Sequence, residues 1–195
     1  MRSLLFSPEI ARAASGVVTS KWTVRYDMLS AQQASNGTDL KHILVTTDGS
    51  ELAGKAVAAG IRLAEALHAR LTFVTVTLPL ASLGDQESAF ASMPEAVRHQ
   101  ALAYLGADAD RTLSAALSAA NKAGVNADAL KVENRHPHEA IISAAQSRGA
   151  DLIMMASHGR SGIKAVLLGS VTQKVLVRSA LPVLVCPATE PRSPA

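Results

Sequence analysis

The sequence predicts an α/β fold, a single doubly wound open parallel sheet of five strands with helices on both faces. Short apolar segments rich in β-branched residues alternate five times with longer segments whose apolar residues recur every three or four positions. The 195 residues are enough for one domain with a sizeable core. Only 3% of them are aromatic, so aliphatic side chains must fill that core, which suits helices packed on a parallel sheet.

The first strand and helix are indicated by a change of apolar period. Residues 43–45 are a short apolar segment that ends in Thr-Thr-Asp-Gly, which is typical of a buried strand and its turn. Ser50 suits the N-cap of the following helix, because its side chain can accept a backbone hydrogen bond. One helix face is then apolar, at Leu52, Ala56, Ala59, Leu63 and Leu67.

The remaining elements continue the alternation of strand and helix. Gly124 is expected to end the longest helix, and Pro137 suits the first position of the next one. The predicted elements are strands over residues 71–77, 125–132, 151–155 and 182–186, and helices over residues 95–122, from 137 and over 170–179.

Three segments differ in composition. Residues 1–39 carry scattered basic residues, several serines and a polar stretch at 32–38, and they have no sustained apolar period, so we expect a disordered N-terminal extension. Two other readings stay open for them: a targeting segment, or a start assigned too early, with Met28 as the true start. Residues 40–187 are predicted to form the one domain, and residues 188–195 a flexible tail.

Composition argues against several classes of partner. The net charge is only +3 and the basic residues are scattered, so we expect no nucleic-acid partner. No uninterrupted apolar stretch reaches the ~18 residues of a membrane span, so we expect no membrane contact. The single cysteine, Cys186, excludes an internal disulfide and is consistent with a cytoplasmic setting.

Residues 156–172 carry the clearest chemical signal. They follow the fourth predicted strand and lead through glycines to a helix that starts near Ser170. Glycines let a backbone come close to a ligand, and a helix start presents unpaired N–H groups, so the segment suits a phosphate. Ser170 and Gln173 also fit a capping box, which would satisfy the same amides without a ligand. The residues alone leave both readings open.

Three segments together resemble the universal stress protein family. They are residues 40–50 (LKHILVTTDGS), residues 150–160 (ADLIMMASHGR), and residues 167–172 (LLGSVT) followed by PVLV at 182–185. The resemblance covers about residues 40–187. It implies a Rossmann-like fold similar to the adenine nucleotide alpha hydrolases, with strand order 3-2-1-4-5. It also implies an ATP-binding stress-response protein in the cytoplasm.

ATP-binding members of this family carry the motif G-x2-G-x9-G-S/T. The matching positions here are Ala156, Gly159, Gly169 and Ser170, so the first glycine is replaced by alanine. A methyl group at that position would crowd the ligand if the backbone needed a positive φ. We expect weaker binding from this change and no abolition.

The resemblance implies a set of nucleotide-binding residues. Asp48 would reach the adenine and ribose, the backbone of Val76 would contact adenine, and the glycine-rich loop would hold the phosphates of ATP, with or without Mg²⁺. On the residues alone, Asp48 also fits an Asx turn and Val76 plain core. The implied set is Thr46, Thr47, Asp48, Val76, Met155, Ala156, His158, Gly159, Arg160, Gly169, Ser170, Val171 and Thr172.

The resemblance also implies a homodimer that pairs the fifth strands at Val183, Leu184 and Val185. Its downstream protein partner is not indicated. We expect no catalytic residue, hence a non-catalytic protein or a very slow ATPase. Two alternatives stay open: a homodimeric interaction module that binds no nucleotide, and a self-phosphorylating enzyme with Ser157, Ser170 or Thr172 as acceptor.

Two other motifs compete with this interpretation. Residues 49–56 (GSELAGKA) nearly match a P-loop, but Ala56 replaces the hydroxyl residue and the helix is expected to start before Gly54. His136 and His138 flank a proline and suggest a metal, yet no further ligand cluster accompanies them. We therefore expect no metal site.

Overall fold

The structure, a computed structural model, describes residues 23–25, 40–79, 93–158 and 168–187. Its strands and helices form one six-stranded sheet with helices on both faces. In chain order the elements are β1 (Thr23–Arg25), β2 (His42–Thr46), α1 (Glu51–Leu67), β3 (Arg70–Thr77), α2 (Glu95–Lys122), β4 (Ala127–Glu133), α3 (Pro137–Arg148), β5 (Leu152–Ala156), α4 (Ser170–Arg178) and β6 (Val183–Cys186).

The sheet confirms the predicted fold class. Its strand order is β1-β6-β5-β2-β3-β4, and β2 to β6 are all parallel. Read from β4 to β6, those five strands have the predicted order 3-2-1-4-5. The additional strand is β1, which pairs antiparallel with β6 at the edge of the sheet.

Most element bounds lie within two residues of the prediction. The bounds of α2 agree with it, and α3 begins at Pro137 as expected. The strand β4 begins at Ala127, two residues late, because the amide of Val125 still donates to Ala120 at the end of α2. Gly124, with a φ of +70°, makes that turn possible.

Two apolar clusters lie on opposite faces of the sheet. On one face α1 and α2 pack against alternate residues of the strands, including Val45, Phe73 and Met154. On the other face α3 and α4 pack against the residues between them, including Leu44 and Ile153. This alternation is the period of two that a strand imposes on its side chains.

The helix α1 lies unusually close to the sheet at Gly60. A Cβ atom at this position would lie 2.8 Å from Cγ2 of Val45 and 3.4 Å from the sulfur of Met154. At the start of α1, the hydroxyl of Ser50 accepts the amide of Ala53, as predicted for the N-cap.

The strand β1 lies within the segment that the sequence predicts to be disordered. Residues 23–25 differ from that expectation because the outer edge of β6 offers unpaired backbone groups, and an extended segment can satisfy them. The other residues of 1–39, like residues 188–195, lie outside the described parts. The domain limits therefore stay a prediction.

Cys186 ends the last strand and is 2% exposed. Burial raises the pKa of its thiol to about 12. Elsewhere, no helix in the described parts of the chain is long and apolar enough to cross a bilayer.

Candidate functional site

The sheet opens a crevice between β2 and β5. These strands are adjacent and parallel, with Val45 opposite Met154. The chain leaves β2 for α1 on one face of the sheet and leaves β5 for α4 on the other face. The two loops therefore part at the carboxyl ends of the strands. Open α/β sheets bind their ligands at such a point.

The loop after β2 is fixed by hydrogen bonds to β3. The amide of Thr47 donates to the carbonyl of Val74 at 2.9 Å. The carbonyl of Thr47 accepts a hydrogen bond from the hydroxyl of Thr75 at 2.7 Å. Asp48 Oδ1 accepts the amide of Ser50 at 3.0 Å, which is an Asx turn. Asp48 thus serves the turn at the mouth of the crevice, next to the partly buried Thr46.

The backbone of Val76 points into the crevice. Backbone groups alternate along a strand, and the carbonyl of Val74 faces β2, where it accepts the amide of Thr47. Val76, two residues further on, has its N–H and C=O on the same side. The pairing of β2 with β3 ends at Thr46 and Val74, so the groups of Val76 face the space beyond the end of β2.

The start of α4 is not capped by its own side chains. The helix begins at Ser170 and its N-cap is Gly169, and no described side chain makes a capping hydrogen bond there. The capping box predicted as an alternative is therefore absent, because Ser170 lies one position too late to cap. Within the described residues, the amides of Ser170, Val171 and Thr172 have no hydrogen-bond acceptor.

Gly169 is held close to the backbone after β5. Its amide donates to the carbonyl of Ser157 at 2.8 Å. A Cβ atom here would lie 3.3 Å from that carbonyl oxygen and 3.5 Å from Cα of His158. The φ of Gly169 is −58°, so the position needs a glycine for space and not for backbone conformation.

Ala156 fits its position without strain. It is the last residue of β5, is 7% exposed, and packs in the cluster on the α1 face. Among the described residues other than glycine, only His68 has a positive φ. The concern about a positive φ at Ala156 therefore does not apply. Its carbonyl accepts the hydroxyl of Thr172 at 3.0 Å, which ties α4 to β5.

Other implied residues lie nearby or outside the described parts. Met155 is buried on the α3 face of β5. His158 follows β5, and its Nδ1 lies 3.2 Å from the buried hydroxyl of Ser157. Gly159 and Arg160 lie outside the described residues.

Comparison with known proteins identifies the family. The sequence model of the universal stress protein family matches residues 39–187. The chain belongs to the universal stress protein family. Universal stress protein YxiE of Bacillus subtilis is 30% identical over 143 residues, which is 73% of this chain and 96% of that protein.

Solved structures of universal stress proteins share the fold. The chain is similar to MJ0577, a protein of Methanocaldococcus jannaschii, with a TM-score of 0.62 and 26% identity over 79% of this chain and all of that one. It is also similar to a universal stress protein solved in complex with cAMP. That similarity has a TM-score of 0.55 and 26% identity, over 77% of this chain and 98% of that one.

The P-loop reading does not fit this member of the family. The helix α1 begins at Glu51, and the amide of Gly54 already donates to the carbonyl of Ser50. Gly54 is therefore helical and cannot cradle a phosphate. The ammonium of Lys55 lies 3.5 Å from the carboxylate of Glu51, on the surface of the helix.

His138 joins α3 to α4 through a side-chain contact. It is 5% exposed, and its Nε2 lies 2.9 Å from Nη1 of Arg178. A guanidinium only donates, so this contact favours a neutral imidazole whose Nε2 accepts, although the carboxylate of Glu139 lies 3.6 Å from the same nitrogen. Burial, then Arg178, lowers the pKa of His138. In the described residues, no group of three or more His, Cys, Asp or Glu is placed to hold a metal ion.

Sequence reasoning missed the residues that position the site. The carbonyl of Ser157 anchors Gly169, and Thr75 fixes the carbonyl of Thr47. Neither contact leaves a signal in sequence spacing, because each joins segments that only the sheet brings together. The one available hint was the number of threonines at the ends of the first two predicted strands.

Proposed function

We propose that this universal stress protein binds ATP in the crevice between β2 and β5, with the phosphates at the start of α4. The supporting observation is the set of amides at Ser170, Val171 and Thr172, for which the described residues supply no acceptor. A helix N-terminus of this kind favours an anion through its N–H groups and its dipole. Gly169 and Ser170 also match the end of the family's ATP motif.

We assign the adenine to the other side of the crevice. The N–H and C=O of Val76 face the space beyond β2, where they can pair with a base edge. Asp48 stands at the same mouth, although its Oδ1 also serves the Asx turn. The hydroxyl of Thr172 donates to Ala156, so we expect Thr172 to reach a phosphate through its amide. Gly159 and Arg160 stay predicted phosphate neighbours.

Nucleotide binding in general is supported by the universal stress protein solved with cAMP. For this chain we favour ATP over a cyclic monophosphate, because three adjacent amides suit a chain of phosphates. We propose that ATP is held and not rapidly turned over, since no acidic cluster in the described residues is placed to hold a catalytic metal. Mg²⁺ would then arrive with the nucleotide.

A thermal unfolding series tests the proposal. The full chain is heated with ATP and Mg²⁺, with ADP, with AMP and with cAMP. At 100 times its dissociation constant, a bound nucleotide adds about 2.7 kcal/mol of stability. We expect the largest rise in melting temperature with ATP. If none of the four raised the melting temperature at millimolar levels, the result would favour the alternative, an interaction module that binds no nucleotide.

A pair of variants isolates the amide of Ser170. Proline is tolerated at the first position of a helix, and Gly169 before it already has an extended backbone (φ −58°, ψ 148°). Ser170→Pro therefore removes one amide donor, while Ser170→Ala keeps it and removes only the hydroxyl. We expect Ser170→Pro to bind ATP about tenfold more weakly than Ser170→Ala. Equal affinity of the two would exclude a phosphate at this amide. Lys55→Ala should bind as the parent does.

We further propose a homodimer through the outer edge of β6, at Val183, Leu184 and Val185. An apolar edge strand readily adds another strand, which makes this pairing physically reasonable. The described structure adds a condition, because β1 already lies on that edge. The protein partner downstream of the dimer stays unassigned.

A further inference from the structure

Both edges of β6 are already paired within one chain. Its inner edge pairs with β5, where the carbonyl of Pro182 accepts the amide of Ile153 and that of Cys186 accepts the amide of Ser157. Backbone groups alternate along a strand, so the N–H and C=O of Val183 and Val185 face outward. These are the groups that β1 meets.

The register of β1 uses those outward groups. Thr23 lies opposite Val185, and Arg25 lies opposite Val183, in antiparallel pairs. Residues that face each other with their backbone groups exchange two hydrogen bonds, so these two pairs carry the strand pairing. Val24 lies opposite Leu184, and its N–H and C=O point away from β6.

A second copy of the chain needs the same groups. A β6 strand from another molecule can add antiparallel to this edge only through Val183 and Val185. Each of these residues has one N–H and one C=O, so β1 and the second copy exclude each other.

We propose that β1 competes with a second copy of this chain for the outer edge of β6. The N-terminal segment then holds the protein as a monomer until β1 leaves the edge. This inference rests on the proposed homodimer and not on the proposed nucleotide. The competing partner is a second copy of this chain, whose apolar β6 can add antiparallel to the same edge.

Chain length and strand length set the balance of the competition. Two strands, β6 and β5, lie between β1 and β2. The three inter-strand steps of ~4.8 Å each make a distance of roughly 14 Å. Residues 26–41 can reach across it, since sixteen residues span at most about 55 Å. As part of the same chain, β1 has an effective concentration on the order of millimolar. It is only three residues long, which limits its hold.

Proline substitutions in the full chain separate β1 pairing from other effects. Thr23→Pro and Arg25→Pro remove the two N–H groups that face Val185 and Val183. The control is Val24→Pro, whose N–H points away from β6 and which an edge strand tolerates. The fold should persist in all of them, because the residues of both apolar clusters lie outside β1.

The readout is the dimer dissociation constant from sedimentation over a range of protein concentrations. We expect the Thr23→Pro/Arg25→Pro double variant to dimerise about tenfold more tightly than Val24→Pro, because two hydrogen bonds no longer hold β1 in place. Val24→Pro should match the parent. Equal constants for the double variant and Val24→Pro would overturn the competition.

Amide hydrogen exchange gives a second readout in dilute monomer. The amides of Val183 and Val185 should exchange faster in the double variant than in Val24→Pro, because their edge is open. Faster exchange without any dimer at high concentration would exclude a second copy as the competitor. That outcome would leave ATP binding untouched, because the thermal series with nucleotides is read on the monomer as well.

Discussion

At the residue scale, the site depends on space more than on unusual backbone angles. The family motif predicts glycine at 169, and the structure gives the physical reason, a carbonyl of Ser157 only 3.3 Å from where a Cβ would lie. At Ala156 the same reasoning shows why alanine is accepted. The residue is extended, and its side chain packs in the core. Sequence alone could flag both positions but could not distinguish crowding from backbone strain.

Gly169→Ala tests this crowding. A methyl group at 3.3 Å from the carbonyl of Ser157 must push the start of α4 away by a few tenths of an ångström. We expect ATP affinity to fall about tenfold, since the amides that follow shift with the helix. Isothermal titration measures the change.

The matched control for that variant is Gly106→Ala in α2. A Cβ there meets nothing within 4 Å, so the substitution should leave ATP affinity unchanged and add about 0.5–1 kcal/mol of stability. If Gly169→Ala bound ATP as well as the parent does, the close approach at Ser157 would have no role in the site.

At the element scale, two glycines in the same helix should behave in opposite ways. A Cβ at Gly60 would lie 2.8 Å from Val45, whereas a Cβ at Gly54 meets nothing within 4 Å. Gly60→Ala should lower the free energy of unfolding by about 1–3 kcal/mol, because α1 must move off β2. Gly54→Ala should raise it by about 0.5–1 kcal/mol.

Urea denaturation of both α1 variants measures these changes. Alanine is a better helix former than glycine, so both substitutions would stabilise the protein if helix propensity alone decided the outcome. A gain from Gly60→Ala would therefore contradict the close packing of α1 on β2.

Also at this scale, the helices and strands were predictable because their apolar periods are long. The bounds of α2 and the start of α3 were correct, since Pro137 fixes one of them. The start of α4 at Ser170 was also correct. The sequence left only its cap open, because Ser170 and Gln173 have the spacing of a capping box. The structure places the N-cap at Gly169, one residue before Ser170, and the amide of Gly169 donates to the carbonyl of Ser157.

At the scale of the whole molecule, the order of the parallel strands followed from the family resemblance, and the edge strand β1 did not. Three residues carry too short a pattern to indicate a strand, and β1 forms only because β6 supplies its partner. The crevice was predictable from the sheet order. The backbone direction of Val76 was not, because it depends on where β2 ends relative to β3.

Stability should fall in mild acid because His138 is buried as a neutral group. Burial is the largest cause of the lowered pKa of His138. Nearby Arg178, Lys174 and His136 lower that pKa further, while Glu139 raises it. With the folded pKa below the unfolded value of about 6.5, the stabilisation is complete above pH 6.5 and is lost as the pH falls through the folded pKa. Melting temperature between pH 7.5 and 4.5 measures the loss.

His138→Gln isolates that contribution. Glutamine can still accept a hydrogen bond from Arg178 and does not titrate. The melting temperature of the variant should therefore fall less steeply as the pH is lowered. The control is His99→Gln, on the exposed face of α2, which should keep the steep fall. His42 is also buried with a lowered pKa, so some slope should persist in His138→Gln. Identical slopes in His138→Gln and the parent would rule out His138 as a source.

Cys186 gives this fold a built-in reporter. A thiol that is 2% exposed and has a pKa of about 12 hardly ever presents a thiolate, so alkylating reagents find no nucleophile in the folded molecule. Labelling can proceed only when β6 separates from its neighbours. The rate of labelling therefore reports how often that side of the sheet opens, and no engineered probe is needed.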